Sequence, residues 1–524
     1  MSWATLTNAS AVPLAQIPDL PLEDLRSEVI AAVAGGARLG CWCGDGNGRV
    51  IEVMVDDAGR RLLIARAKVG ESYQALTPDC PQAHLFEREL AEQFGVVPEG
   101  HPWFKPLRYH RRFAVTGPIE PAGASSARGT SGPASITLPD AWGRADDEPI
   151  LPGVTGMFRV DGDEVHEVAV GPVHAGVIEP GHFRFQCHGE HVFHLEIHLG
   201  YQHRGIEQAA LGGPHRTTLY QMEAAAGDTS IGHAWAHCLV REALAGVEVP
   251  PEAQRLRALM LELERLANHT GDLGALAGDV GFQPTMSFNG RIRGDFLNLS
   301  AAVCGSRLGR GMLIPGGVRF GLDAARRDGQ LRRLAAAGRD VTGSVELLLR
   351  TPSVQARFEQ VGVVRAEDAR AAGLVGLARR ACGGSADARR DHALGAYREL
   401  SVLPAICDSG DVNARAQVRW LEIRESLRLV ERFLDDDSAQ GTGLSVGLPA
   451  LRPDHLAVGI IEGWRGPVLH LGVTDHAGRF SRYKVVDPSF HNWFGLMLAL
   501  RDEQVSDFPL CNKSFNLSYC GVDL

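Results

Sequence analysis

An α+β chain is what the sequence predicts, with a small N-terminal α+β domain ahead of a large, mainly helical domain carrying sheet at its margins. Three observations lead there. Runs with strand character cluster near the start ("ARLGCWCG", "GRVIEVMVD", "RRLLIARAKV") around one amphipathic stretch, "PQAHLFERELAEQFG". The composition then breaks over residues 118–156, a Pro-, Gly-, Ser- and Ala-rich stretch without periodicity that reads as a partly disordered linker. Beyond it, "PPEAQRLRALMLELERLANHTGDLGALAGDV" repeats apolar residues every three or four positions behind two prolines suited to a first helical turn. The predicted units are therefore 1–117, 118–156 and 157–524.

The elements follow in order. Strands continue after the linker to about residue 205, and the 250–280 stretch is the longest expected helix. Further helices are expected at about 291–310, 324–350 and 412–435. "HLAVGIIEGW", "GPVLHLGVTD" and "SRYKVVD" read as strands, before a helix at "NWFGLMLALRDE".

Bulk properties exclude some functions. At 524 residues, 44% hydrophobic and 22% charged, the chain can bury a sizeable core and is too long for one small domain. A net charge of −10 argues against a nucleic-acid partner held by a basic surface. No apolar run approaches a membrane span, and "MSWATLTNASAVPLAQ" lacks a secretory pattern. The expectation is a soluble chain at the cytoplasmic side of the inner membrane, peripheral and held there by partners. None of the ten cysteines forms C-x-x-C. The tight pair Cys41 and Cys43 falls on one face of a strand, where buried free thiols are the expected reading.

"HGEHVFHLEIHLGYQHRGIE" (188–207) looks like a metal site at first sight. Phe193, Leu195, Ile197 and Leu199 alternate with His194, Glu196 and His198, which is strand periodicity. A His-x-His pair on a strand is compatible with zinc. The favoured reading is a solvated or interface-facing strand edge, because no second cluster has zinc-ligand spacing.

Two regions carry a family resemblance. "FERELAEQFGVVPEGHPWFKPLR" (86–108) resembles the 30 kDa-type subunit of respiratory complex I. From "GPVHAGVIEPGHFRF" (171–185) onward, through "LGYQHRGIEQ", "LMLELERLANH" and "GMLIPGGVR", the chain resembles the 49 kDa-type subunit and the large subunit of energy-converting [NiFe]-hydrogenases. The two modules in one chain match the arrangement of formate hydrogenlyase-type complexes. Under that resemblance the 188–207 stretch is a framework strand, with His194 and His198 facing a partner subunit.

The resemblance implies a metal site with four thiolates from R-x-C-G-x-C-x-x-x-H and D-P-C-x-x-C. Here the first reads "EAAAGDTSIGHAW", with Ala226 and Thr229 at the cysteine positions, and the second reads "NLSYCGVDL", with Ser518 and Gly521 there. Cys520 lies one residue off, and Leu524 closes the sequence without the extension that hydrogenase maturation removes. No metal is therefore expected. The complex I tyrosine that meets quinone corresponds to Gly227.

What remains are polar groups implied by the resemblance. Glu179 matches a proton-transfer glutamate, Arg465 the arginine overhanging the metal site, and His174 the first histidine of the quinone hairpin. His182, His233 and Asp228 are candidate relays or cofactor contacts. The alternative for Glu179, Arg465, His233 and Asp228 is retention in hydrogen-bond networks. The implied function is a subunit of an NADH–quinone oxidoreductase- or hydrogenase-like membrane complex, coupling electrons from an iron–sulfur partner (complex I 20 kDa-like) to proton or quinone chemistry. It would bind no cofactor directly, apart from a quinone as candidate ligand. The alternative is a non-catalytic scaffold docking the iron–sulfur subunit onto an antiporter-like membrane arm.

Overall fold

The computed structural model describes residues 3–110, 112–113, 142, 156–436 and 441–524. The expected linker, 118–156, falls outside the described residues except for Trp142 and Gly156.

The chain begins with short strands β1 (Ala4–Leu6), β2 (Ser10–Pro13) and β3 (Asp19–Leu20), then helix α1 (Leu22–Ala34). Strands β4 (Arg38–Gly44), β5 (Arg49–Asp56) and β6 (Arg61–Lys68) form an antiparallel meander, extended to the order β1-β6-β5-β4 with β3 alongside β6. Cys41 and Cys43 are free and buried on β4. Helix α2 (His84–Phe94) packs on this sheet and ends where Gly95 takes φ 72°. A Cβ at Gly95 would meet the Arg112 guanidinium, so glycine is needed there for space as well as for handedness.

Helix α2 buries its charged face, which explains the "FERELAEQFG" pattern. Glu87 accepts the N–H groups of Leu76 and Thr77 at 2.7 and 2.9 Å. Glu92 accepts those of Arg108 and Tyr109 at 2.8 and 2.7 Å, and Arg88 donates to the Lys105 and Pro106 carbonyls at 2.7 and 2.9 Å. The motif is thus a clamp on residues 105–109.

Strands β7 (Ser72–Gln74) and β8 (Val97–Glu99) pair in parallel beside α2. A three-stranded sheet follows, from β9 (Val165–Val170), β10 (His182–His188) and β11 (His191–His198), in the order β11-β10-β9. The strand reading holds for His191–His198, but Glu196 and His198 on its polar face are buried, while His194 stays half-buried. Glu196 and His198 are 1% and 3% exposed. Glu196 accepts Trp103 Nε1–H at 3.1 Å and pairs with Lys105, while His198 lies 3.0 Å from the Tyr109 hydroxyl. The segment clamped by α2 covers that end of the face.

The helical part comprises α3 (Ser230–Ala245), α4 (Pro251–Asp279), α5 (Gln283–Cys304), α6 (Ala324–Arg350) and α7 (Val412–Asp435). Helix α5 sits earlier than the expected 291–310, because Pro284 opens it in its first turn and Gly305, at φ 80°, closes it. Between α5 and α6, β12 (Leu313–Ile314) and β13 (Gly317–Val318) make a small hairpin. The last sheet has β14 (His455–Glu462), β15 (Pro467–Thr474) and β16 (Phe480–Val486), followed by α8 (Pro488–Ala499) and α9 (Phe508–Phe515). Among the described residues no helix is long and apolar enough to cross a membrane.

Two features tie the N-terminal segment to the rest. Strand β2 pairs antiparallel with β14, from His455↔Pro13 to Val458↔Ser10, giving the order β16-β15-β14-β2. Asn8 extends the pairing by donating to the Ile460 carbonyl at 2.9 Å and accepting its N–H at 2.8 Å. Lys484 on β16 donates to Glu89 of α2 and to Glu207, both at 2.7 Å with no solvent access to the lysine. Buried pairs of this kind become costly when one partner is lost, by about 3–5 kcal/mol. We propose that the 118–156 boundary is a real chain joint, but that the flanking pieces remain joined by these contacts. Limited proteolysis between 118 and 156 is expected to yield two fragments that co-elute on native size exclusion; separation without denaturant would contradict the shared sheet.

Candidate functional site

The site forms where three segments meet: the loop 171–181, the residues before α3, and the C-terminal segment 516–524. The loop is closed by the Gly181 N–H donating to the Pro172 carbonyl at 3.1 Å. It presents Glu179, half-buried, whose Oε2 accepts the Cys520 N–H at 3.1 Å. Glu179 Oε1 lies 3.7 Å from where a Cβ on Gly227 would stand.

Arg204, from "LGYQHRG", draws the other two segments together. Its guanidinium donates to the Ala224, Ala225 and Cys520 carbonyls at 2.6, 2.8 and 3.0 Å. Asp523 completes the tie, accepting the N–H groups of Gly200 and Gln202, each at 2.8 Å. Burial pushes the Asp523 carboxyl up to about 6 against those two hydrogen bonds and Arg108, with Glu179 adding to the rise.

The four expected cysteine positions converge. Ala226, Thr229 and Ser518 are 2%, 1% and 0% exposed. A Cβ on Gly521 would stand 2.9 Å from Ser518 Oγ, 2.9 Å from Asp487 Cγ and 3.1 Å from Ala226 Cβ. Ser518 Oγ accepts the Gly521 N–H at 2.9 Å and lies 3.5 Å from Cys520 Sγ. Arg465 spans the turn, donating to the Asn516 and Gly227 carbonyls at 2.5 and 2.9 Å and to Thr229 Oγ1 at 3.2 Å, with its guanidinium over the Trp464 ring.

These residues do not fit a thiolate-held nickel–iron pair. Such a centre needs several anionic sulfur ligands, and Ala, Thr, Ser and Gly supply none. Cys520 is the one thiol at the turn, and burial, then the Glu179 charge, raise its pKa away from thiolate. Among the described residues no group of three or more His, Cys, Asp or Glu is placed to hold a metal ion.

The other expected residues divide. His233 is buried with Nε2 3.0 Å from Asp487 Oδ2. Asp228, at φ 53°, turns its carboxylate to Arg293 at 2.7 Å, while its carbonyl accepts from Trp464 and Asn268. His174 sits exposed on the loop, accepting the Gly176 N–H at 2.9 Å. His182 opens β10 opposite His198, its pKa lowered by burial. The structure thus gathers Glu179, Arg465, His233 and the four cysteine positions around one turn, and leaves His174 exposed on the loop with its hydrogen bond to Gly176.

Sequence reasoning missed Asp487, Asp523 and Glu264. Asp487 caps α8 by accepting the Ser489 N–H at 2.8 Å, and the "DPS" pattern of an N-cap before proline was its available signal. Glu264 of α4 accepts the N–H groups of Ile231 and Gly232, at 2.7 and 3.3 Å, at the start of α3. Burial pushes its carboxyl up to about 8, outweighing those donors, and the Asp228 charge adds to the rise.

That shift has a sign that can be tested. Because the folded-state value lies above the ordinary 4.5, the folded state resists ionisation, and stability falls as pH rises from about 4.5 to about 8. Glu264→Gln keeps an acceptor without the charge. Its Tm relative to wild type is expected to climb between about pH 5 and pH 8. A difference independent of pH would contradict a protonated Glu264.

Residues 279–444 match the family described as "Respiratory-chain NADH dehydrogenase, 49 Kd subunit". The carbon monoxide-induced hydrogenase of Rhodospirillum rubrum is 32% identical over 356 residues, covering 67% of this chain and 97% of that protein. Hydrogenase-4 component G of Escherichia coli K12 is 27% identical over 500 residues, 92% of this chain and 78% of the relative. In fold, the chain resembles a chain of the archaeal membrane-bound sulfane sulfur reductase, an archaeal respiratory membrane complex, with a TM-score of 0.64 at 23% identity, covering 70% of this chain and all of the other. The fused sequence pattern, the convergent cysteine positions and these similarities have one reading: the chain belongs to the family that unites membrane-bound hydrogenase subunits of the carbon monoxide-induced and hydrogenase-4 type with the 49 kDa subunit of the respiratory-chain NADH dehydrogenase.

Proposed function

We propose that this chain is a subunit of a membrane-associated, complex I-like oxidoreductase, coupling electron transfer from an iron–sulfur partner to proton or quinone chemistry without a nickel–iron centre. The carrying observation is the exchange of functional groups at one turn. Sulfur ligands are replaced by Ala226, Thr229, Ser518 and Gly521, while Glu179, Asp487, Asp523 and Arg465 gather round them. A cluster of carboxylates beside a fixed guanidinium handles protons rather than low-valent metal.

Partner docking has support on the same loop. Val173 and Ile178, flanking His174 and Glu179, are 87% and 47% exposed and offer apolar contacts beside the polar site. An iron–sulfur subunit seated there would bring its cluster to Glu179. With no spanning helix among the described residues, attachment to the membrane would come through antiporter-like partners.

A second reading, the non-catalytic scaffold, draws on the tight packing at Gly521, where Ser518 and Asp487 leave no room for even a methyl group. Glu179→Gln separates the two. In the complex isolated from native membranes, turnover from reduced methyl viologen to a soluble quinone analogue consumes two electrons and two protons per quinone. Under the redox reading the Gln variant assembles normally and loses at least about tenfold in turnover. Unchanged assembly and turnover would leave the scaffold. The wild-type complex, produced with nickel and maturation factors present, is expected to retain no stoichiometric nickel after chelation; retention would overturn the ligand argument.

A further inference from the structure

A row of buried side chains leads away from the site through the core. Asp487 Oδ2 lies 3.0 Å from His233 Nε2, and His233 Nδ1 lies 3.0 Å from His470 Nε2. His470 Nδ1 is 2.9 Å from the Tyr483 hydroxyl, which is 2.7 Å from His237 Nδ1. All five residues are 0% exposed. Their elements are unrelated in sequence: His233 and His237 stand one turn apart on α3, His470 is on β15, Tyr483 on β16, and Asp487 caps α8.

With the rings neutral, the carboxylate at one end orders the protons along the row. Burial pushes the Asp487 carboxyl up, but the hydrogen bond and charge of His233, the Arg465 charge and the Ser489 hydrogen bond together hold it below its ordinary range. An ionised carboxylate only accepts, so His233 carries its proton on Nε2. In the neutral form of the ring, its Nδ1 accepts from His470 Nε2–H. His470 Nδ1 in turn accepts the Tyr483 proton, and the Tyr483 oxygen accepts His237 Nδ1–H. Each donor points toward Asp487. At the far end His237 Nε2 keeps a lone pair with no partner among the described residues, near half-buried Arg241.

We propose that this row is a proton conduit, carrying protons from the Arg241 side of α3 to Asp487 at the 518–521 turn. It rests on the redox-coupling reading and supplies what that reading lacks, a route for protons through the core to Asp487 at the turn. A proton bound at His237 Nε2 releases the Nδ1 proton to the Tyr483 oxygen. The Tyr483 proton passes to His470 Nδ1, the His470 Nε2 proton to His233 Nδ1, and the His233 Nε2 proton to Asp487. Each N–H or O–H bond broken is matched by one formed, one proton arrives, and no electron moves. Burial, with the Arg241 charge, depresses His237 to about 3, and burial and its histidine neighbours hold His470 well below its ordinary value, so both rings rest neutral and the transfer is concerted. With every tautomer reversed, a second proton waits for the groups to reorient.

Two measurements test it. In the full-length chain with 15N-labelled histidine, NMR is expected to find His233 and His470 protonated at Nε2 and His237 at Nδ1. A different tautomer at His233 or His470 overturns the proposal whatever the turnover. In the assembled complex, Tyr483→Phe removes one oxygen and keeps the ring. Reduction of the partner's clusters by reduced methyl viologen should be unchanged. Turnover onto the quinone analogue should fall at least about tenfold, and the curved dependence of rate on D2O fraction should become linear. Full turnover in Tyr483→Phe while Glu179→Gln is impaired overturns the conduit and spares the redox reading. Full turnover in both variants overturns the reading, and the conduit with it. If Tyr483→Phe fails to assemble, Tyr483→3-fluorotyrosine, which keeps the hydroxyl but lowers its pKa, must shift the pH profile of turnover; an unshifted profile overturns the conduit.

Discussion

The ammonium of Lys484 holds the molecule's two halves to one another. It reaches Glu89 on α2 and Glu207 beyond the "YQHRG" turn, and Arg108 pairs with the same Glu89 while donating to the Val522 carbonyl at 2.6 Å. An ion taken this deep pays its desolvation only when its partners are fixed, so the cluster demands that α2, β16 and the C-terminal segment be in place together. The Glu207 carboxyl shows the balance: burial raises it, but Lys484, Arg482 and Arg108 bring it down to about 2. Site geometry follows from this constraint, because Val522 and Asp523 lie next to Cys520 and Gly521 on the same short turn.

A second buried network fixes the other wall. Arg265 on α4 donates to the Glu462 and Gly463 carbonyls at 2.6 and 2.9 Å, just ahead of Trp464 and Arg465. Glu422 on α7 receives Arg265, Arg380 and His269, at 3.1, 2.6 and 2.8 Å. The strand end that leads to the arginine over the site is thus anchored by charges two helices away. The guanidinium of Arg465 itself is oriented by protein groups, the Asn516 and Gly227 carbonyls and Thr229 Oγ1.

Much of this was legible in the sequence, and the remainder failed for identifiable reasons. Strands β4 to β6 and β14 to β16 and helix α4 declare themselves by period. Helix α3 does not, because nearly all of its residues from Ser230 to Ala245 are buried and it has no polar stripe to set against an apolar one. Strand β2 is four residues long and finds its partner about 445 positions later, beyond any local pattern. The polar face of β11 read as solvent-facing because alternation reports which residues differ, and Glu196 is buried by a segment ninety residues upstream. Glu179 and Arg465 were found through motifs. Asp487, His470 and Tyr483 sit on elements whose sequences mark them only as strand and cap, and their significance appears once two paired strands meet helix α3 and the cap of α8.

The pairing of β2 with β14 also bears on how such a chain is made. Residues 10–13 leave the ribosome long before 455–458 exist, so the edge they will occupy is missing for most of synthesis. Closing a loop of that length costs only a logarithmic entropy term, yet contacts so distant in sequence slow the search for the native state. During that interval an unpaired strand and the charged face of α2 are exposed without their partners, the condition under which long chains aggregate. The β2–β14 edge therefore closes late, once residues 455–458 have been made. A cell that makes it in quantity has reason to shield its first hundred residues until the last seventy arrive.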